Sequence, residues 1–178
     1  MADIVNKETR SRMMSGIRGK DTRPELLLRR ALHARGFRYR LHPKTMSGRP
    51  DMVLTKHRVA VFVHGCFWHR HEGCRFASTP ATRPEFWAAK FAANVRRDQK
   101  VVATLAEEGW RIAIVWECAL KKQANVDLTV EQLEDWILEG GSFIEIGEKD
   151  AGSRLSDILC SDVICQAIGK RSSNMMAS

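Results

Sequence analysis

Eleven consecutive residues, H64-G-C-F-W-H-R-H-E-G-C74, carry three of the six histidines and two of the five cysteines of this 178-residue chain. Two kinds of chemistry are available there. Cys66, His71 and Cys74 have the spacing C-x4-H-x2-C, which suits a single metal knuckle. Cys118, just past a predicted strand, can complete the set. Four thiolate or imidazole ligands with none to spare describe a closed, structural zinc site. The same stretch also offers a possible base, since an imidazole titrates at roughly 6.5 and His64 and His69 lie within it. Each group also has a plainer reading, as a free thiol or a hydrogen-bonded core histidine. Cys160 and Cys165 fall outside the pattern.

Three carboxylates stand where they could join this chemistry. Asp51 follows Pro50, leaves a Gly- and Pro-containing loop and opens a predicted strand. A carboxylate so placed can hold Mg²⁺, which takes one or two carboxylates plus water and phosphate oxygens; it can equally end a turn. Asp98 lies on a helical stripe with Trp87, Phe91, Asn94, Val102 and Leu105. A charge on such a stripe must be paired with a core arginine or face a site. Glu25 closes the string T22-R-P-E25, which reads first as a capping box.

The elements that must position these groups are legible in outline. Thr22 opens a helix with Pro24 in its first turn and Leu27, Leu28, Ala31 and Leu32 on its apolar side; Gly36 stops it. F37–L41 alternates as a half-buried strand, D51–T55 reads as a second, and R58–V63 as an almost wholly apolar third, covered on both faces. A long helix runs from Arg83-Pro84 to about Glu108, R111–W116 is another buried strand, and residues 129–139 form a short amphipathic helix. This order argues for an α/β sandwich around a mixed sheet. Residues 1–20 read as a basic arm, 21–150 as the folded domain, and 151–178 as a tail with no firm assignment.

Charge names the partner class. Residues 1–49 hold 13 Lys and Arg against four Asp and Glu, whereas the remainder holds 16 against 17, so the whole +8 excess is N-terminal. Arginine dominates it and suits bidentate contact with phosphate. A nucleic acid is the simplest partner, with a solvated basic face as the alternative. No apolar run reaches a membrane span or a secretory h-region, so the chain reads as cytoplasmic and its thiols as reduced.

Pro50-Asp51, followed after ten residues by Phe62-Val63-His64, resembles the PD…(D/E)xK layout of restriction-endonuclease-like nucleases, with Phe62 and His64 where that layout has its second acid and lysine. One branch matches closely. T9-R-S-R-M-M14, K20-D-T-R-P-E25, G48-R-P-D51, H64-G-C-F-W-H69, P80-A-T-R-P-E-F-W87, N94-V-R-R-D98 and G109-W-R-I-A-I-V-W-E-C-A119 resemble, in order, the very short patch repair (Vsr-type) DNA mismatch endonucleases. The resemblance implies a restriction-endonuclease-like mixed sheet flanked by helices. It implies a monomer that nicks double-stranded DNA 5′ to the T of T:G mismatches left by 5-methylcytosine deamination. It makes Asp51 and the backbone carbonyl of Val63 the Mg²⁺ ligands and His69 the general base. Asp98 becomes its orienter, and His64 and Glu25 hold metal-bound water and the scissile phosphate. Phe67, Trp68 and Trp87 become a wedge pushed between base pairs, with Met14 a second wedge. A cytosine-5 DNA methyltransferase becomes the functional companion, and mismatch-repair proteins candidate partners. Arg70 stands where some relatives have a further His, and the Glu72-Gly73 stretch is one residue longer; neither removes a zinc ligand. A zinc-stabilised mismatch-binding protein without catalysis, or a metal-independent glycosylase, would share the arm, aromatics and thiols but would not need Asp51 with His64 and His69.

Overall fold

The computed structural model of the protein describes Glu8, Thr9 and residues 20–150. Met14, most of the basic arm and the tail from 151 lie outside the described residues.

Helix α1 spans Arg23–Ala34 and buries Leu28 and Leu32 completely. Gly36, at φ +89°, takes the left-handed turn that closes it, and the Phe37 N–H returns to the Leu32 carbonyl at 3.1 Å. The expected capping box does not form. The Thr22 hydroxyl donates instead to Glu25 Oε1 (2.8 Å), and Glu25 Oε2 takes the Asp21 N–H (2.9 Å). The reason is Arg29, whose Nη2 donates to the same Glu25 oxygen at 2.7 Å and draws the buried carboxylate inward.

Strand β1 is only Arg40–Leu41, shorter than the alternation suggests. Phe37 is drawn into the core, and the Tyr39 hydroxyl donates to the Arg29 carbonyl (2.9 Å), so residues 37–39 are anchored by side chains rather than a ladder. Strand β2 (Met52–Leu54) and β3 (Val59–His64) are joined by a 3-10 turn at Thr55–His57. The single helical turn α2 (Cys66–His69) follows, then the long α3 (Pro84–Glu107), β4 (Arg111–Trp116), a 3-10 turn at Glu117–Leu120, α4 (Gln123–Glu139) and β5 (Phe143–Ile146). Helix α4 begins six residues before the sequence reading placed it. Strand β5 has no counterpart in that reading.

The sheet runs β1-β2-β3-β4-β5; its first two pairings are antiparallel and its last two parallel. Side chains of β3 alternate across it. Val59 and Val61 join the core beneath α1 and α4, with Trp136, Leu133 and Leu28. Ala60 and Phe62 join the opposite cluster, with Leu105 of α3. The central strand is therefore covered on both faces, and its C-terminal end delivers His64 to the α3 side.

The loop before Asp51 is pressed on α3. Gly48 holds φ +68°, and a Cβ there would stand 2.3 Å from Val101 Cγ1. Gly48→Ala should therefore destabilise the protein by about 1–3 kcal/mol, read as a lowered Tm, with Val101→Ala restoring part of the loss.

Candidate active site and metal centre

A cleft of about 610 Å³ opens where the first turn of α1, the ends of β2 and β3, α2 and α3 meet. Glu25, Asp51, Val63, His64, His69 and Asp98 all line it. Residues separated by up to 73 positions are thus brought to one surface. The β2–β3 register, Met52 opposite Val61, leaves Asp51 just beyond the ladder, and its Oδ2 accepts the Val63 N–H at 2.7 Å. Burial raises the Asp51 carboxyl to about 6; the Val63 hydrogen bond lowers it, the Glu25 charge raises it, and His42 and Arg29 pull it down. A carboxylate so raised sits where a cation would offset the cost of its charge.

Across the cleft, His69 donates from Nδ1 to Asp98 Oδ2 at 2.6 Å, which leaves Nε2 with its lone pair. Burial raises the Asp98 carboxyl, but the His69 hydrogen bond and charge outweigh it and hold Asp98 below its usual value. His64 stacks on His69 with centroids 3.9 Å apart and planes at 11°. Burial first, and the His69 charge second, push His64 down to about 3, so it is neutral. The α2 turn is fastened to α3 by Asn94, whose Nδ2 donates to the Trp68 carbonyl (3.0 Å). Sequence reasoning passed over Arg49, Arg97 and Glu117, which share the cleft. Glu117 stands inside the W-E-C string that was read only for Cys118; the parallel pairing of His64 with Trp116 brings it beside Gly65.

Phe67, Trp68 and Trp87 form one half-buried cluster, with centroids 5.0 to 6.1 Å apart. Phe91 closes it from beneath, and Phe86, half exposed, extends it outward.

The donor atoms of Cys66, His71, Cys74 and Cys118 lie within 4.8 Å of one another. A nitrogen and a sulfur bound to one tetrahedral ion, at about 2.0 and 2.3 Å, stand roughly 3.5 Å apart. His71 Nδ1 is 3.6 Å from Cys66 Sγ and 3.4 Å from Cys118 Sγ. The set therefore fits a tetrahedral metal with Nδ1 as the imidazole ligand. In the metal-free protein the Cys66 and His71 hydrogen bonds draw the Cys118 thiol down while the same contact pushes Cys66 up, so protons lie among these donors that a metal would displace. His71 also stacks on Trp116 at 4.2 Å, which fixes its plane.

A buried carboxylate at the end of a sheet strand, a carboxylate-oriented histidine and two arginines in one cleft suit a hydrolase that acts on phosphodiesters. Residues 2–75 match the family model described as DNA mismatch endonuclease Vsr. The type II nicking enzyme V.XorIIP of Xanthomonas oryzae pv. oryzae is 44% identical over 135 residues, which cover 76% of this chain and 98% of that protein. The DNA mismatch endonuclease Vsr of Escherichia coli is 42% identical over 148 residues, covering 82% and 94%. Among solved structures, the catalytic domain of homing endonuclease I-Bth0305I aligns over 68% of this chain and 100% of its own, at TM-score 0.46 and 18% identity. The chain belongs to the Vsr family of DNA mismatch endonucleases and is a DNA repair endonuclease.

Because Asp51 is raised in the folded state, its neutral form is the one the fold favours. No stability is lost below the unfolded value of 3.8, and stability falls as the pH climbs through about 6. Above that pH the cost is roughly 3 kcal/mol in the metal-free protein. Calorimetry in magnesium-free buffer should show Asp51→Asn melting above the wild type at pH 7.5, with the two converging near pH 4.

Proposed function

We propose that the protein nicks double-stranded DNA on the 5′ side of the T in a T:G mismatch by Mg²⁺-dependent hydrolysis. The observation that carries this reading is the shared cleft, which Asp51 and the His69–Asp98 pair both line. A magnesium ion held by Asp51 and the Val63 carbonyl would neutralise charge on the scissile phosphate and acidify a bound water. The N–H and C=O of one strand residue leave on the same side, so the Val63 N–H bond to Asp51 argues that its carbonyl turns that way too.

His69 acts as the general base. Its Nδ1 proton is committed to Asp98, so Nε2 is free to take a proton from the attacking water. Asp98 then faces the imidazolium and stabilises it. His64, neutral and stacked, keeps the ring in its plane and adds no opposing charge. Glu25, beside Asp51, orders water at the phosphate. Phe67, Trp68 and Trp87 enter the stack next to the mispair, where unstacking costs least, and Met14 of the basic arm enters from the other side. Zinc held by Cys66, His71, Cys74 and Cys118 would tie the 66–74 loop to the turn after β4 and so aim His69. A companion cytosine-5 methyltransferase would create the base whose deamination leaves the mismatch.

Asp51→Ala should abolish nicking of a T:G duplex while leaving its binding in EDTA largely intact; cleavage at the wild-type rate would remove Asp51 from the chemistry. Asp98→Asn should slow nicking by roughly 10²-fold or more in single-turnover assays, because the amide does not enforce the Nδ1–H tautomer. Duplexes carrying T:G, U:G and C:G pairs, with and without Mg²⁺, test the substrate: equal nicking of C:G would refute mismatch specificity, and an abasic product formed without Mg²⁺ would point to a glycosylase.

Removing zinc with a strong chelator, or changing Cys118 to Ser, should lower the Tm and unfold much of the domain rather than only slow the reaction.

A further inference from the structure

A buried cation beside Asp51 has no part in the steps above. Arg29 of α1 is 4% exposed. Its Nη1 donates to Asp21 Oδ1 (2.5 Å), and its Nη2 donates to Glu25 Oε2 (2.7 Å) and meets His42 Nε2 at 2.8 Å. A guanidinium only donates, so His42 Nε2 must present its lone pair there. The ring proton of His42 is thereby assigned to Nδ1. That nitrogen faces Asp51 Oδ1 at 3.7 Å, while the other Asp51 oxygen is held by the Val63 N–H.

The backbone of His42 points the same way. Its φ is +44°, in the left-handed region. Such a conformation costs a non-glycine residue of order 1 kcal/mol and persists only where the surroundings fix it. Here the partner that holds the ring is Arg29.

Geometry completes the case. At 3.7 Å the Nδ1–H lies close to Oδ1 without a direct hydrogen bond, so the lone pairs that a cation needs stay open.

We infer that His42 is a positioning residue for cation binding, its tautomer set by Arg29 and its Nδ1–H aimed at Asp51 Oδ1. This rests on the reading of Asp51 as the metal ligand. Partners of this kind, which orient a ligating group, typically change metal affinity by about 10–100-fold when removed.

The test titrates Mn²⁺ into the zinc-loaded full chain without DNA and follows free Mn²⁺ by electron paramagnetic resonance. H42A should bind Mn²⁺ about 10–100-fold more weakly than wild type. H42N, whose amide N–H stands in for Nδ1–H, should recover most of the affinity, whereas H42Q, which reaches toward Arg29 instead, should not. D51N is the reference for loss of the ligand itself. Wild-type affinity in H42A with loss in D51N overturns this inference alone, as does H42N as weak as H42A. Wild-type affinity in D51N overturns both this inference and the assignment of Asp51. Should the His42 variants not fold, the imidazole ¹⁵N shifts of the wild-type protein decide the matter. A protonated Nδ1 on His42 supports the assignment, and a protonated Nε2 overturns it.

Discussion

The hydrogen bond from the Val63 N–H to the Asp51 carboxylate is the contact on which the active cleft is built. Strand β3 is buried on both faces and extends past the end of its antiparallel ladder with β2, which stops at the Met52–Val61 pair. The Val63 N–H therefore has no ladder partner on that side, and a buried amide without one is costly. Asp51 supplies the acceptor. The same bond fixes one carboxylate oxygen in a place where burial has already pushed the group up to about 6. A structural requirement of the sheet and a chemical requirement of the cleft are met by one side chain.

The loop after β3 serves two centres with interleaved residues. His64 and His69 face the cleft, while Cys66 and His71 face the thiol cluster. Each pair is five positions apart, and the α2 turn sets one pair two residues ahead of the other. Displacing the thiol cluster would therefore rotate His69 away from Asp98, and the 2.6 Å contact between them tolerates little rotation. The stacking of His71 on Trp116, next to Glu117 and Cys118, passes the same constraint to β4. The geometry of the thiol cluster and the orientation of His69 are in this sense one folding problem.

Legibility in the sequence followed how local the signal was. The buried strands at β3 and β4 and the long α3 are carried by continuous apolar runs and a 3.6-residue stripe, and their bounds differ from expectation by a residue or so. The Cys and His donors announced themselves by spacing. Strand β5 did not, because four residues behind Gly140-Gly141 become a strand only through pairing with β4. The early start of α4 was missed for lack of a capping residue, since Lys122 makes no side-chain cap. The capping box at Thr22 was read from one local pattern where another, the i,i+4 ion pair of Arg29 with Glu25, prevails. His42 and Glu117 were invisible because each acquires its meaning from a partner on another element, as Arg29 does from His42.

The stacked histidines show how the cleft sets two neighbouring rings apart. Two imidazolium ions with centroids 3.9 Å apart would repel strongly in a site shielded from water. Burial resolves the competition by keeping His64 neutral, while Asp98 stands against His69 alone. The depressed Asp98 is the other half of the argument. A carboxylate held ionised accepts and does not donate, so it fixes the Nδ1–H tautomer of His69 whatever the state of Nε2. His64 and Asp98 therefore act on the same ring from its face and its edge. The first denies it a charged neighbour, and the second decides which nitrogen remains open to the cleft.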